Sequence, residues 1–304
     1  MQTSKWLAMS DQIPVYLRMW NQVKSPRAIV QIVHGMAEHI ERYDDFATFL
    51  NSQNILVYGN DHRGHGRTGE KQNKMGYFCH EDGFDRAVRD LMEITECIQQ
   101  KNPALPIFLI GHSMGSFFTR RYLTLHKERN VSGVVLIGTG YQPSSILKAG
   151  KALVKSISRI KEKTAPGQFM NKLTFNQYNK RTEKETEFDW LSTDRELVRE
   201  YIKDPLCGFI PTNQFFYDLY EGIDKIQQKR AIAQINKQIP LLFLSGEDDP
   251  VTNYGEGMNS VARLYPSDDK ELKIYPKMRH EILNEHEKEI VFRDILNWIN
   301  KQIT

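Results

Sequence analysis

One stretch, residues 105–122, restricts what this chain can fold into more than any other part of it. It reads L-P-I-F-L-I-G-H-S-M-G-S-F-F-T-R-R-Y. The apolar run at 107–110 is typical of a buried strand, and apolar residues at helical spacing resume at Phe117. Between the two lies G-H-S-M-G. The stretch therefore predicts a strand, a sharp turn that contains Ser113, and a helix.

Steric arguments explain why glycine occurs two residues before and two residues after Ser113. A serine held in a strained turn, at a cost of about 1–3 kcal/mol, projects its hydroxyl away from the sheet. The strand and the helix then pass so close that Gly111 and Gly115 must lack a Cβ atom. Average usage of glycine and serine yields the five-residue pattern by chance in roughly one chain in ten of this length. The flanking strand and helix therefore carry the prediction that this serine is presented for chemistry.

The rest of the chain alternates short apolar strands with helices, which favours an α/β fold with a parallel, doubly wound sheet. An alternating segment at 4–20 predicts a β-hairpin at the start. The predicted strands are 27–33, 54–58, 107–110, 131–138, 240–245 and 271–275. The predicted helices are 43–51, 84–100, the one after Ser113, 258–265 and 285–301. Polar motifs follow the strands directly, which is where such sheets place their chemistry.

A serine hydroxyl is a poor nucleophile at neutral pH and needs a base within hydrogen-bond reach. With this strand–turn–helix motif, an acid and then a histidine follow the serine along the chain. Only His280 and His286 lie beyond a suitable acid. His280 lies in a loop after the last strand, from which it can reach back over the sheet, whereas His286 falls near the start of the last helix. We therefore predict His280 as the base.

Two adjacent carboxylates compete for the role of the acid. The strand at 240–245 ends in G-E-D-D-P-V, so Asp248 and Asp249 both lie on the appropriate loop. Asp268 and Asp269 precede a strand and would lie at the opposite edge of the sheet. The residues alone do not decide between Asp248 and Asp249.

Five motifs in order resemble the monoglyceride lipase and lysophospholipase branch of the α/β-hydrolases, which includes the serine aminopeptidase S33 type. They are H-G-M-A-E-H at 34–39, N-D-H-R-G-H-G-R-T at 60–68, G-H-S-M-G at 111–115, S-G-E-D-D-P-V at 245–251 and M-R-H at 278–280. The resemblance covers nearly the whole chain. It implies the α/β-hydrolase fold and a serine hydrolase that cleaves carboxylic esters of lipids, such as monoacylglycerols or lysophospholipids, through an acyl-enzyme.

The resemblance also implies roles for individual residues. The acid is the aspartate three residues after the glycine, which is Asp249 here. The backbone N–H groups of Met36 and Met114 form the oxyanion hole. His34, Gly35, Glu38 and His39 either support the oxyanion loop or bind polar groups of the substrate. No metal and no organic cofactor are implied. Family members often carry glycine or alanine where this chain has Met36. The different side chain leaves the backbone N–H donor in place.

Residues 141–217 interrupt the α/β pattern where this family carries a helical cap, so we expect a core of residues 1–140 and 218–304. A helical wheel gathers Ile146, Leu153, Ile157 and Ile160 on one side, opposite Lys148, Lys151, Lys155 and Arg159. We favour a helix whose apolar face packs on the core and whose basic face is solvated. The second interpretation is peripheral contact with an anionic membrane surface.

Composition excludes other classes of protein. A net charge of +3 and the lack of a nucleic-acid-binding motif argue against a nucleic-acid partner. Three cysteines without a C-x-x-C pair are typical of reduced thiols. No apolar run approaches the length of a transmembrane helix, and the first residues lack the apolar region of a signal peptide. We therefore expect a cytoplasmic protein. The sequence does not indicate its oligomeric state.

Three alternatives stay open. Asp61, His62 and His65 could hold a metal ion, although the glycines and Arg63 between them favour a hydrogen-bonded turn. A proline-iminopeptidase-like enzyme would share fold and triad, and it would need cap carboxylates within 183–200 to bind a substrate ammonium. A hydrolase fold that only binds a ligand typically lacks one triad member, whereas this chain has candidates for all three.

Overall fold

A computed structural model describes residues 2–125 and 131–303, and its centre is one eight-stranded sheet. The strands are β1 (Thr3–Ala8), β2 (Pro14–Trp20), β3 (Ala28–Val33), β4 (Ile55–Asn60), β5 (Ile107–His112), β6 (Gly133–Ile137), β7 (Leu241–Gly246) and β8 (Lys270–Tyr275). Their spatial order is β1-β2-β4-β3-β5-β6-β7-β8. Only β2 runs opposite to its neighbours, because it pairs antiparallel with both β1 and β4. The predicted hairpin and the mostly parallel sheet are confirmed.

Helices cover both faces of this sheet. They are α1 (Asp44–Ser52), α2 (Gly66–Gln72), α3 (Gly83–Lys101), α4 (Met114–Leu125), α5 (Ser144–Ile157), α6 (Gln168–Phe175), α7 (Arg195–Lys203), α8 (Asn213–Ile226), α9 (Lys229–Ile232), α10 (Glu256–Leu264) and α11 (Lys288–Ile303). Short 3-10 helices span Ile40–Tyr43, Tyr178–Arg181, Asp189–Leu191 and Ile282–Asn284. The helices predicted from the apolar periodicity all occur, with ends shifted by one to three residues.

The central strand β5 shows how the sheet separates two apolar layers. Ile107 and Leu109 pack on one face with residues of α3, α4 and α8, whereas Phe108 and Ile110 pack on the other with residues of α1 and α11. Successive strand residues point to opposite faces, so a strand covered on both sides needs an unbroken apolar run. Burial of each such side chain contributes about 1.5–3 kcal/mol. Strand β5 is thereby fixed directly in front of Ser113.

Residues 141–217 form helical structure without any strand of the sheet, and α8 continues across residue 217 into the core. The predicted burial of Ile146 and Ile160 is wrong, because they are 58% and 90% exposed. Helix α5 instead buries Leu147 and Val154. A helix of α5's length buries only the residues that meet a neighbour, and a wheel cannot tell which side that is.

The apolar spacing within 285–301 also predicts burial of Ile290, Ile295, Trp298 and Ile299, and for Ile290 this prediction is wrong. Ile290 in α11 is 39% exposed, whereas Ile295, Trp298 and Ile299 are buried as predicted. Ile290 lies in the first turn of the helix, where α11 begins. Within the described residues, no helix is both long and apolar enough to cross a membrane.

Candidate active site

Ser113 occupies the strained turn that the sequence predicts. Its φ is +53°, in the left-handed region that side chains with a Cβ rarely adopt. A Cβ on Gly115 would lie 1.9 Å from the carbonyl oxygen of Val33, and a Cβ on Gly111 would lie 2.5 Å from Thr119 Oγ1. Both glycines are therefore required sterically. The Ser113 side chain is only partly covered, while its neighbours His112 and Met114 are buried.

Two hydrogen bonds hold the turn at Ser113, and one of them is made to the end of β6. The Ser113 N–H donates to the carbonyl of Ile137 over 2.9 Å, and the Ser116 hydroxyl donates to the Ser113 carbonyl over 2.5 Å. Gly138, which follows Ile137 at the end of β6, has a φ of +60°. A Cβ there would come within 2.8 Å of the His280 ring. This strand end thus lies between the nucleophile turn and the imidazole.

His280 and Asp249 form a buried pair above the carboxyl end of the sheet. The Nδ1 atom of His280 lies 3.0 Å from Oδ1 of Asp249, and the two side chains are 2% and 0% exposed. Nδ1 contacts Asp249 at ion-pair distance without forming a well-aligned hydrogen bond, and the other ring nitrogen, Nε2, is buried without any partner among the described residues. An imidazole held at Nδ1 by a carboxylate has Nε2 available to accept a proton.

The structure places Asp249, rather than Asp248, against the histidine. Asp248 is partly exposed, and its backbone N–H donates to the Met278 carbonyl over 2.9 Å. His286 lies on the surface beside Asp194, with 66% of its side chain exposed. Of the two histidines and two aspartates left open by position, only His280 and Asp249 meet.

The oxyanion loop, residues 34–39, packs directly against the nucleophile turn. A Cβ on Gly35 would lie 3.2 Å from Ser113 Cβ. Met36 is partly exposed, whereas Met114 is buried at the first turn of α4. Ala37 has a φ of +54°, a second left-handed residue beside the site. The two predicted oxyanion donors therefore lie on segments that pack against each other.

An ionic cluster of Glu38, Arg42, Tyr43, His112 and Glu281 lies beneath this loop. Oε1 of Glu38 accepts from the Gly35 N–H over 2.5 Å and from the Tyr43 hydroxyl over 2.9 Å. Arg42 joins Glu38 at 2.8 Å to both carboxylate oxygens of Glu281 at 2.7 Å. Because Glu281 follows His280, the cluster links the oxyanion loop to the loop of the proposed base. Glu38 is therefore bonded to the backbone of the loop itself.

His112 connects the ionic cluster to the imidazole of His280. Its Nδ1 lies 3.3 Å from Oε1 of Glu38, and its ring centroid lies 4.8 Å from that of His280. Burial is the largest single influence and opposes protonation of His112, but the hydrogen bond to Glu38 together with the negative charges of Glu38, Glu281 and Asp249 outweighs it and raises the pKa of the imidazole. Burial also opposes ionisation of Glu38, yet His112 and Arg42 hold the pKa of its carboxyl well below the usual range.

A histidine cluster of His34, His62 and His65 also contacts the loop, because His34 begins it. The ring centroids of His34 and His62 lie 4.1 Å apart, and those of His34 and His65 lie 5.5 Å apart. Burial is the main cause that lowers the pKa of His34 to about 3 and that of His65 to about 4. These rings are therefore neutral, and His34 Nε2 accepts from the backbone N–H of His62 over 3.1 Å.

Asp61, His62 and His65 form a turn rather than a metal site. Asp61 accepts from the backbone N–H groups of Ile40 and Arg67, over 2.8 and 2.7 Å. Within 2–125 and 131–303, the one group of at least three His, Cys, Asp or Glu side chains close enough to share an ion is His39, Asp204 and Cys207. There His39 Nε2 lies 2.8 Å from Asp204 Oδ2, and this hydrogen bond accounts for their proximity.

Segment 183–193 of the insertion lies over His280. The Trp190 ring centroid is 5.1 Å from that of His280, and the Glu281 N–H donates to the Leu191 carbonyl over 2.7 Å. Arg279 donates to the Asp189 and Ser192 carbonyls and pairs with Glu183 at 2.7 Å. Glu285 accepts from the backbone N–H groups of Thr193 and Arg279. The loop that carries His280, here called the histidine loop, is therefore bonded to segment 183–193 on both sides of His280.

Sequence reasoning missed Arg42, His112, Glu281 and Trp190, all of which contact residues of the site. Arg42 and Glu281 are 239 residues apart, so no local pattern joins them. One signal was available, since His112 and Glu281 are the immediate neighbours of Ser113 and His280. The polar neighbours of catalytic candidates are reasonable positions to examine for supporting roles.

Comparisons with known proteins give the arrangement its context. The family model described as serine aminopeptidase, S33, matches residues 24–287. A monoacylglycerol lipase of Mycolicibacterium smegmatis is 29% identical, over 92% of this chain and 91% of that protein. The human monoglyceride lipase is 26% identical, over 97% of this chain and 90% of that protein. A solved structure of a thermostable carboxyl esterase from Bacillus coagulans in complex with glycerol superposes with a TM-score of 0.92 at 26% identity, covering 100% of this chain and 99% of that one.

Proposed function

This chain belongs to the serine aminopeptidase S33 family, and from that membership we propose that it is a serine hydrolase of the monoglyceride lipase type that cleaves lipid monoesters. One observation carries the proposal beyond the family. Ser113, strained at φ +53°, and the buried His280–Asp249 pair both lie against the end of β6, at the carboxyl ends of β5, β7 and β8.

The proposed reaction begins with attack of Ser113 Oγ on the ester carbonyl. His280 Nε2, which has no partner of its own among the described residues, accepts the hydroxyl proton. Asp249 holds Nδ1–H, fixes the tautomer and stabilises the imidazolium that forms. The N–H groups of Met36 and Met114 donate hydrogen bonds to the carbonyl oxygen and stabilise the negative charge that develops on it.

The tetrahedral intermediate then collapses. The bond between the carbonyl carbon and the alcohol oxygen breaks, the imidazolium of His280 protonates the leaving alcohol, and an acyl-enzyme on Ser113 remains. His280 next takes a proton from water, and the water oxygen attacks the acyl carbon. The bond to Ser113 Oγ then breaks, His280 returns the proton to Ser113, and the fatty acid leaves. No other group is needed for the bond changes to balance.

An aminopeptidase activity has less support from the cap. Binding of a substrate ammonium needs a carboxylate without a protein cation, but Glu183 pairs with Arg279 and Glu185 with Arg195. Asp189 accepts from the backbone N–H groups of Glu185 and Thr186, and Asp194 caps α7. The carboxylates nearest the histidine loop are therefore already engaged.

The test is a hydrolysis screen of acyl esters of increasing chain length beside aminoacyl arylamides. We expect turnover of the esters, and Ser113→Ala should lower kcat by roughly 10⁴–10⁶ while the fold is retained, because the nucleophile is absent. Circular dichroism of the variant checks the fold. Preferred cleavage of the arylamides would replace the proposal with the aminopeptidase, and an active Ser113→Ala variant would remove the assigned nucleophile.

The two adjacent aspartates provide a matched pair of variants. Asp249→Asn should lower kcat by about 10⁴, because the amide favours the wrong tautomer of His280. Asp248→Asn should leave kcat within a fewfold of wild type, because that side chain does not meet the imidazole. If Asp248→Asn lowered kcat more than Asp249→Asn does, Asp248 rather than Asp249 would be the acid.

We also propose that residues 141–217 act as a cap that touches anionic membrane. Two of its side chains that were expected in the core, Ile146 and Ile160, are exposed instead, as are Phe169 and Leu173 at 61% and 56%. Basic residues lie among them, including exposed Lys148 and Arg159. Lys151 is less suited to this role because it pairs with Asp224 at 3.4 Å. The cytoplasmic location and the cap boundaries stay predictions.

Vesicle co-sedimentation tests the membrane contact. Each basic group near an anionic surface contributes about 1 kcal/mol of attraction, which salt screens over roughly 10 Å at 0.1 M. Lys148→Glu/Arg159→Glu should reduce binding to anionic vesicles at low salt and leave turnover of a short soluble ester unchanged. The control is Lys229→Glu/Arg230→Glu, two exposed basic residues of the core. Equal binding by all three proteins would leave the basic face as ordinary surface.

A further inference from the structure

The conformation of Ala37 in the oxyanion loop needs an explanation. Its φ of +54° is one that alanine adopts rarely, because its Cβ crowds the backbone there. Ala37 directly follows Met36, whose N–H we assign to the oxyanion hole. The Met36 N–H lies in the peptide between Gly35 and Met36, so rotation about the N–Cα bond of Ala37 turns Met36 and its N–H relative to the residues that follow. Whatever holds Ala37 therefore also sets the direction of the Met36 donor.

The groups that hold Ala37 come from the cap. The Tyr201 hydroxyl in α7 donates to the Ala37 carbonyl over 2.9 Å, and the Gly208 backbone N–H donates to the same oxygen over 2.9 Å. The bond from His39 to Asp204 ties the same two segments together two residues further along the loop. Three contacts thus join residues 201–208 to residues 37–39.

Tyr201 is itself fixed in place. It is buried, its ring lies 5.0 Å from that of Phe188, and the Arg42 guanidinium lies 4.8 Å from its centroid. Arg42 is in turn held by Glu38 and Glu281. A hydroxyl on a ring so restrained is a directed donor. Since Gly208 donates through its backbone, Tyr201 supplies the one side-chain donor on this carbonyl in the described part of the chain.

We propose that Tyr201 is a positioning residue for the oxyanion hole, and that the cap completes this hole by holding Ala37 in its left-handed conformation. The inference rests on the proposed function, because it assigns the Met36 N–H to an oxyanion. Its consequence is that displacement of α7 releases Ala37 and misdirects the Met36 donor. Catalysis then requires a seated cap even for an ester too short to touch it.

Tyr201→Phe tests the proposal, because the variant keeps the ring and loses only the hydroxyl. With a short soluble ester, we expect kcat to fall about three- to tenfold, the rate equivalent of one hydrogen bond, and KM to stay within twofold. The inhibition constant of a trifluoromethyl ketone, whose adduct places an oxyanion in the hole, should rise by the same factor as kcat falls.

Ala37→Gly provides the rescue. Glycine adopts positive φ without a Cβ penalty, so the loop should keep its conformation with fewer contacts to the cap. Ala37→Gly alone is the reference, and Tyr201→Phe/Ala37→Gly should have a kcat within about twofold of that reference, whereas Tyr201→Phe loses more than this in the wild-type background. A general loss of structure would not be corrected by one glycine.

Tyr220→Phe is the matched control. The Tyr220 hydroxyl also bonds to the cap, at 2.9 Å from Thr174 Oγ1, but it does not contact the oxyanion loop. We expect this variant to lose thermal stability to the same extent as Tyr201→Phe while keeping wild-type kcat. The pair separates loss of a cap contact from loss of the Ala37 contact.

Three outcomes would overturn the proposal: Tyr201→Phe with wild-type kcat, equal losses in Tyr201→Phe and Tyr220→Phe, or no rescue by Ala37→Gly. Wild-type turnover of the ester is measured first and tests the proposed function by itself. An active wild type with an unaffected Tyr201→Phe variant rejects only the role of Tyr201. An inactive wild type rejects the proposed function.

Discussion

The ionic cluster and the histidine cluster both contact the oxyanion loop and are both buried, yet one is charged and the other is neutral. Glu38 and Arg42 keep their charges because they pair with each other at 2.8 Å, and Arg42 also pairs with Glu281 at 2.7 Å. His34, His62 and His65 lie among one another, backbone groups, aromatic rings and the Asn60 amide, and no carboxylate of the described residues hydrogen-bonds to them. Burial lowers their pKa values, and no nearby carboxylate reverses that shift.

The comparison shows that burial alone does not decide the charge of a group beside an active site. His112 is as buried as His34, but its hydrogen bond to Glu38 raises its pKa. Substitutions in the two clusters should therefore have different effects on stability. Removal of one charge from the ionic cluster leaves another charge unpaired, whereas removal of one ring from the histidine cluster removes a group that was already neutral.

The largest expected effect comes from Arg42→Met, which keeps an unbranched side chain and removes its charge. Glu38 and Glu281 would then be buried without their cation, and we expect a loss of about 3–5 kcal/mol in the free energy of unfolding by urea. Arg67→Met is the control, since Arg67 bridges Glu41 with 46% of its side chain exposed. That variant should lose less than about 1 kcal/mol. Similar losses in both would make the charges of the ionic cluster unimportant for stability.

A pH-dependent effect of about 2 kcal/mol is expected at the histidine cluster. The folded pKa of His65, about 4, lies below its ordinary value of 6.5. Its contribution is therefore fully present above pH 6.5 and is lost as the pH falls toward 4, by about 1.4 kcal/mol per pH unit. We expect His65→Phe to be within about 1 kcal/mol of wild type at pH 7.5 and more stable than wild type by about 2 kcal/mol at pH 5. A constant stability difference between the two proteins across this range would contradict a neutral, buried His65.

The smallest expected effect is that of Tyr43→Phe, which removes one hydroxyl from the ionic cluster. Its bond to the buried Glu38 carboxylate is worth about 1.5 kcal/mol. Tyr16→Phe removes a similar bond, at 3.3 Å from the more exposed Glu41, and should cost about 0.5 kcal/mol. Thermal unfolding of both variants measures the difference. If Tyr16→Phe were the more costly, burial would not strengthen this bond.

Sequence patterns predicted the parts of this molecule that local contacts specify. Strand β5, the turn at Ser113 and helix α4 follow from residues within 20 positions of one another, so spacing alone was enough. Selecting His280 and the two candidate aspartates as partners for Ser113 needed a rule for the order of motifs as well. Choosing Asp249 over Asp248 needed the resemblance, because both aspartates lie on the same loop.

The features that escaped prediction depend on partners distant in sequence. Ile160 is apolar but has no neighbour to cover it, so its helical spacing was misleading. The left-handed conformation of Ala37 depends on a tyrosine hydroxyl 164 residues away. Such contacts form only when separate elements are brought together, and one sequence carries no periodic signal of them.

The bonds from Arg279 and Glu285 to segment 183–193 have a consequence for synthesis on the ribosome. The chain emerges from its first residue onward, so the cap segment leaves the ribosome about 90 residues before the loop that binds it. Until Arg279 and Glu285 arrive, the carbonyls of Asp189 and Ser192 have no arginine to accept from. Segment 183–193 and the loop that carries His280 therefore become ordered together, after residue 285 has been synthesised. The nascent protein should be cleaved readily by proteases within 183–193 until residues 279–285 have emerged.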